Sequence, residues 1–356
     1  MVQLQQPPKH NNHQSTVKED FIKAGQLANQ ACAHAKELLL GASDNQSGVS
    51  MSRVCERVNT YITDTLHARI AFPCSISINE ILCHSGYEDD SDCNIDNVDN
   101  TTVKPNDLVK IELGVLWNAS PALITTSFVF EPRVDQPTKQ QLIDATKQAC
   151  QHLITQCQVS RVSSDISDTA KSYFTSKSEP YSFITGMMSH RLSPGVLSTD
   201  DVILLKAGPG DASQLANKHV PLEDGQVWAI DVGCVEHDPS DPSGPSCSVS
   251  TSPNHKTCIF AKSGKTVPLK LQASRLAYSK TVNKHGNFAF TRDQFVHASG
   301  LPVAKAKAAL CECIAKALLV PYDVMQVQST KPCARFLCTI MLTGDGPVML
   351  TNPFDL

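Results

Sequence analysis

The sequence predicts an α/β (α+β) chain: an internally duplicated antiparallel sheet flanked by helices, with a small basic helical insertion. Three observations carry this. The stretch Asp107–Phe128, DLVKIELGVLWNASPALITTSF, reads as a β-hairpin, because Val109, Ile111 and Leu113 alternate with Lys110, Glu112 and Gly114. Asn118, Ser120 and Pro121 supply turn residues, and Ala122–Phe130 is a second run rich in Ile, Thr, Val and Phe. The first strand is then nearly copied: Leu108-Val-Lys-Ile-Glu-Leu-Gly114 matches Val227-Trp-Ala-Ile-Asp-Val-Gly233, with Glu112 and Asp231 in register. Finally, residues 262–320 hold ten bases against the two acids Asp293 and Glu312, a net +8 in a chain of net −4.

Residues 1–16 are polar, rich in Gln, Asn and His, and read as a disordered tail. Thr16 and Glu19 suggest a capping box for a helix over Val17–Leu40, which carries Phe21, Ala24, Leu27, Ala28, Ala31, Ala35 and Leu38 on one stripe and stops at Gly41. Ser50 precedes a second amphipathic helix with Val54, Val58, Tyr61 and Ile62. Ser75–Ile81 alternates as a strand does, with Pro73 limiting what precedes it. Ser85–Asn106 reads as an acidic surface loop. Thr138 and Gln141 suggest a cap for a helix over Gln140–Cys157, and Ser160–Asp168 is loop-like. Asp238–Ser252 is a Pro/Ser/Asp-rich loop. Pro302–Leu319 reads as a helix with proline in its first turn, and Ala334–Leu342 as the last strand.

The bulk numbers exclude several classes. The 356 residues are 41% hydrophobic and 19% charged, an ordinary globular composition. No window approaches a membrane span, and the first residues have no apolar core, so no secretory signal is expected. The 14 cysteines include no Cys-x-x-Cys pair, and most, such as Cys32, Cys74, Cys234, Cys258 and Cys313, sit in apolar runs as small core residues. Reduced thiols in a cytosolic or nuclear chain follow. Cys311 and Cys313 make a poor metal pair without partners.

The hairpin resembles the metal-site hairpin of the pita-bread family, which comprises methionine aminopeptidases, prolidases and non-catalytic relatives. Further segments extend the resemblance over residues 17–356. Ile70-Ala-Phe-Pro-Cys-Ser-Ile-Ser-Ile-Asn-Glu-Ile-Leu-Cys-His84 is similar to the family's FP…S-[IV]-N…H segment, and puts His84 where the aminopeptidases contact substrate. Phe183-Ile-Thr-Gly-Met-Met-Ser-His-Arg-Leu192 resembles its metal-histidine segment, and more narrowly the G-M-L-S-H-Q-L of the proliferation-associated branch. Residues 262–320 resemble the helical insertion of type II aminopeptidases and of that branch, and Leu269-Lys-Leu-Gln-Ala-Ser-Arg275 resembles the latter especially. The resemblance therefore implies a pita-bread domain over residues 17–261 and 321–356, with a pseudo-two-fold duplication.

It also implies a damaged site. The family's five metal ligands are Asp, Asp, His, Glu and Glu. Here they fall on Glu112, Leu123, His190, Asp231 and Leu337. Both bridging ligands are thus leucine, and neither Leu197 nor Ser198 supplies the second histidine of active enzymes. The swaps at Glu112 and Asp231 each move a carboxylate by roughly 1.5 Å, where metal sites tolerate about 0.2 Å. A two-metal centre and a catalytic role are not expected, and no cofactor is. A single ion on Glu112, His190 and Asp231 stays open. By resemblance to the proliferation-associated proteins and to export factors of the large ribosomal subunit, the expected partner is that subunit, its RNA and its proteins near the exit tunnel, with other RNA or DNA possible. Membrane binding is not expected. The expected locations are cytoplasm and nucleus or nucleolus, and the expected form is a monomer. The basic residues Lys262, Lys265, Lys270, Arg275, Lys280, Lys284, Arg292, Lys305 and Lys307 would meet phosphate. Unlike that branch, this sequence shows no lysine-rich tail after Asn352-Pro-Phe-Asp-Leu356. Two alternatives remain: a module that grips N-terminal peptides through His84, and an aminopeptidase of altered metal chemistry.

Overall fold

A computed structural model of the chain describes residues 10–41, 49–86, 102–133, 138–177, 179–208, 219–237 and 247–356. Its centre is a twisted sheet whose strands are β1 (Arg69–Ile78), β2 (Leu108–Trp117), β3 (Ser120–Val129), β4 (Met188–Leu192), β5 (Val202–Leu204), β6 (Val227–Glu236) and β7 (Cys333–Thr343). The order is β1-β2-β3-β7-β6-β4-β5, and all pairings are antiparallel. Two short strands, Tyr181–Phe183 and Gly346–Met349, pair with β6 and β7.

The duplication is visible in this order. The hairpin β2–β3 and the pair β6–β7 meet where β3 pairs with β7, so β2 and β6 hold equivalent places. Each half has helices on the same face of the sheet. Helices α1 (His10–Leu40) and α2 (Met51–Thr60) cover the first half, where Ala24, Ala28, Ala31, Ala35, Val54 and Val58 join Val109, Ile111, Leu113 and Ile124 in one core. Helices α3 (Thr138–Gln156) and α4 (Ser163–Lys177) cover the second, with Leu142, Ala149, Leu153, Ile166 and Phe174 against Trp228, Ile230, Val232, Phe336 and Cys338. Burying such side chains contributes about 1.5–3 kcal/mol each, and the period of two in β2 and β6 directs them all to one side.

The repeated glycines have a steric cause. A Cβ on Gly114 would lie 2.9 Å from the backbone nitrogen of Phe72, and one on Gly233 would collide with Met187. Each glycine sits two residues after an acid, on the acid's own face, where the neighbouring segment crosses closely.

Residues 259–322 form a unit with its own core. Strands Ile259–Lys262, Phe290–Thr291 and Leu319–Tyr322 make a small sheet. Helices α5 (Gln272–His285), α6 (Arg292–Ser299) and α7 (Val303–Ala315) pack Ala277, Phe295, Ala309, Leu310 and Cys313 against it. The expected bounds at 262 and 320 fall inside two paired strands, Lys262 opposite Leu319. Helix α6 starts at a capping box in which the Thr291 side chain accepts from Gln294 N and the Gln294 side chain accepts from Thr291 N.

Several expectations are corrected. Helix α1 runs back to His10, so Thr16 is interior and not a cap, because nothing between Pro8 and Val17 breaks a helix. Residues 1–9 of the expected tail lie outside the described residues. Strand β1 passes through Pro73, which an edge strand tolerates where its pairing with β2 is already irregular. The strand expected through Ile81 instead breaks at Asn79, at φ 49. The hairpin turn is Asn118-Ala119 alone, with Asn118 at φ 52, and Pro121 lies within β3. Ser163–Asp168 is the start of α4, whose Ile166, Ala170, Tyr173 and Phe174 form a buried stripe. Helix α7 stops at Ala315, since Leu318 and Leu319 are needed in the small core. Most of the expected acidic loop (87–101) and of the Pro/Ser/Asp-rich loop (238–246) lies outside the described residues, although Val249–Thr251 is a short strand.

Candidate functional site

One row of directly paired residues crosses the sheet: Ser75, Glu112, Thr125, Leu337 and Asp231. Paired residues in an antiparallel sheet share a face. This face is opposite the helices. Residues two positions along each strand join them there: Lys110 and Gly114, Leu123 and Ser127, Arg335 and Thr339, Ala229 and Gly233. His190 pairs with Ala229 and completes the second half. The sequence thus brings Glu112 and Asp231 onto one surface from strands 119 positions apart.

Between them lies a side chain that the sequence reading missed. The Arg335 guanidinium donates from Nε to Asp231 Oδ1 and from Nη2 to Asp231 Oδ2, both at 2.8 Å. Its Nη1 lies 2.8 Å from Glu112 Oε1, an ion pair off the preferred hydrogen-bond direction. The arginine is only 4% exposed. It is held at its backbone, where Arg335 N donates to Ser127 Oγ and Ser127 Oγ donates to Arg335 O. The other Glu112 oxygen accepts from Ser75 Oγ at 3.2 Å and from His84 N at 3.3 Å. Asp231 N donates to Ser189 Oγ.

The electrostatics follow from this packing. Burial alone would raise the Glu112 carboxyl, but the Arg335 charge, with His84, outweighs it and holds the group below its ordinary value. Arg335 stays charged, since its two carboxylates overcome the cost of burial. Burial lowers both His84 and His190, against the opposing pull of Glu112 on the first and Asp231 on the second. His84 sits at φ 63, with Nδ1 3.1 Å from Asp323 O and Nε2 3.9 Å from Glu112 Oε1. It forms an aromatic trio with Phe72 and Tyr322, at centroid distances of 5.6 and 5.2 Å.

Leu123 and Leu337 are buried in one apolar cluster with Phe72, Leu197, Ala229, Phe288 and Met341. They present hydrocarbon, and no donor atom, on this face. The residues present do not fit a metal pair: both acids face a guanidinium, and among the described residues no three of His, Cys, Asp and Glu converge as ligands would. The single ion left open by the sequence on Glu112, His190 and Asp231 has no such convergence either.

Away from this face, Lys262, Lys265, Lys270, Arg275, Lys280, Lys284 and Lys305 are exposed, and Arg292 and Lys307 are half-buried. Arg275 and Lys280 also have structural work. Arg275 donates to Leu269 O and Lys270 O, and Lys280 Nζ donates to Ser299 O. Arg69, which the sequence reading did not single out, donates to Lys284 O.

The profile of metallopeptidase family M24 matches residues 19–259. A curved DNA-binding protein of Schizosaccharomyces pombe is 28% identical over 303 residues, 82% of this chain and 71% of that protein. Among solved structures, a thermophilic Arx1 superposes with a TM-score of 0.76 at 18% identity, over 96% of this chain and 92% of that one. A methionine aminopeptidase from Thermotoga maritima superposes with a TM-score of 0.60 at 15% identity, over 99% and 100%. At these identities the structural likenesses show the pita-bread fold.

Proposed function

The chain belongs to metallopeptidase family M24, and from that membership we propose a non-catalytic member that works by binding the large ribosomal subunit through its RNA. The observation that carries the reading is the pairing of both Glu112 and Asp231 with Arg335. A hydrolase of this fold would need those carboxylates for metal-bound hydroxide. With the chemistry gone, the marked feature left is charge asymmetry: net +8 within residues 262–320 of a chain of net −4.

A helical unit rich in exposed lysine suits phosphate, whose neutralisation dominates affinity for nucleic acid. The S. pombe relative is named for binding curved DNA, and a phosphate-directed surface serves either nucleic acid. Lys262, Lys265, Lys270, Lys284 and Lys305 are the contacts proposed first, since Arg275 and Lys280 already hold helix ends. The proposed setting is ribosome maturation or translation control in nucleus and cytoplasm, as a monomer.

The test is co-sedimentation with ribosomal subunits across a salt series. Wild type should travel with the large subunit and lose it as salt rises, and Lys262, Lys265, Lys270 and Lys305 changed together to Glu should abolish it. No association of wild type at low salt would overturn the reading. A second reading rests on the aromatic trio Phe72, His84 and Tyr322 beside Glu112, a setting suited to the ammonium of an N-terminal peptide. It predicts that His84→Ala weakens peptide binding and leaves subunit binding intact.

A further inference from the structure

We propose that Glu112 and Asp231 form a guanidinium receptor whose resident cation is Arg335, a clamp across the pseudo-two-fold that takes its positive charge from the chain itself. It goes beyond the ribosome reading and does not depend on it.

Glu112 stands on β2 in the first half, Asp231 on β6 in the second, and Arg335 on β7, which pairs with β6 and touches β3. Two strands and three backbone ladders separate the acids, yet one planar group reaches both. Asp231 is met by a parallel pair of donors, each at 2.8 Å, the fork geometry that only a guanidinium supplies. The third contact turns to Glu112 at 2.8 Å.

The surroundings fix what may sit there. Glu112 and Asp231 are both 8% exposed, so water does little to compensate either charge, and removing the cation would leave two buried carboxylates unpaired. A divalent ion is a poor substitute, because among the described residues no three of His, Cys, Asp and Glu converge as ligands would, and Leu123 and Leu337 on the same face carry no donor atom. Lysine is a poor substitute as well, since its three donors share one nitrogen, whereas the contacts to Asp231 and Glu112 are spread over three nitrogens of one planar group. The ligand class is therefore an alkylguanidinium.

Chemical rescue tests this. Arg335→Ala opens the place of the side chain between the carboxylates. Thermal unfolding is followed with methylguanidinium chloride up to about 20 mM, against equal NaCl and against MnCl2 and CoCl2. The variant should melt at least about 5 °C below wild type. Methylguanidinium should restore half or more of that loss with saturation, and NaCl and the divalent salts should not. Equal melting of variant and wild type, no recovery with methylguanidinium beyond that with NaCl, or rescue by Mn2+ or Co2+ with metal bound in stoichiometric amount, would overturn the proposal. Should Arg335→Ala fail to fold, Arg335→Met is compared with the triple change Arg335→Met, Glu112→Gln, Asp231→Asn. The triple variant should melt above Arg335→Met, because no unpaired carboxylate remains. A triple variant no better than Arg335→Met would overturn it.

Discussion

The two acids of the site should not be equally important, and the inequality can be worked from the contacts. Asp231→Asn removes a charge and places an amide NH2 against one of the two Arg335 donors that now lie at 2.8 Å. Charge-assisted hydrogen bonds contribute about 1.5–3 kcal/mol each, and breaking a buried pair costs about 3–5 kcal/mol, so the expected loss is about 3–5 kcal/mol. Glu112→Gln keeps more. Its carbonyl oxygen can take the place of Oε2 and still accept from Ser75 Oγ and His84 N, while Arg335 retains its fork on Asp231. The ion pair to Oε1 is lost and the amide NH2 faces Nη1 in its place, a single donor contact against the two at Asp231, at about 1–3 kcal/mol. Urea unfolding at pH 7 measures both. A Glu112→Gln variant as unstable as Asp231→Asn, or an Asp231→Asn variant within about 0.5 kcal/mol of wild type, would refute the assignment of Arg335 chiefly to Asp231.

Further outcomes are expected. Burial and the neighbouring Lys284 and Arg69 push His285 down to about 4, from 6.5. The unfolded chain therefore binds the proton first as pH falls, and stability contributed by neutral His285 drops between pH 6.5 and 4. His285→Gln should flatten that part of the stability–pH curve, and an unchanged slope would count against it. Glu112, held below its ordinary value, contributes stability that is present above the unfolded carboxylate range and lost as pH falls through its folded value, so Glu112→Gln should reduce the acid sensitivity of unfolding below about pH 4.3. Thr291→Ala removes the oxygen that caps α6 and should cost about 1 kcal/mol, read as a shift in the urea midpoint. Changing Lys262, Lys265, Lys270 and Lys305 to Ala should lower the slope of log binding constant against log salt for RNA by about 3, whereas a parallel shift with the same slope would place the phosphate contacts elsewhere.

The hairpin was legible because it is local: Val109, Ile111 and Leu113 alternate, and Asn118 suits a left-handed turn. The duplication was legible because the same close approach demands glycine two residues after each acid, at Gly114 and Gly233. Arg335 was not, although a signal existed. It lies two residues before Leu337 in the strand Ala334–Leu342, so a period of two puts it on the face of the expected ligands. What the sequence could not supply is the register that sets Arg335 between β2 and β6, since that depends on pairings between strands more than 100 residues apart. Helix α4 was hidden for a different reason. Its first turn, Ser163-Ser-Asp165, has the polar composition of a loop, and only Ile166, Ala170 and Phe174 beyond it mark the buried stripe. The same polar start favours a helix N-terminus, where Asp165 meets the positive end of the dipole.

We propose that this member of the M24 family, which keeps the fold, has exchanged metal chemistry for an internal ion pair. The most direct measurement is elemental analysis of the purified protein after incubation with Mn2+, Co2+, Fe2+ or Zn2+, with methionine release from a Met-initiated peptide followed in parallel. No stoichiometric metal and no release are expected. Two tightly bound equivalents accompanied by turnover would contradict the proposal.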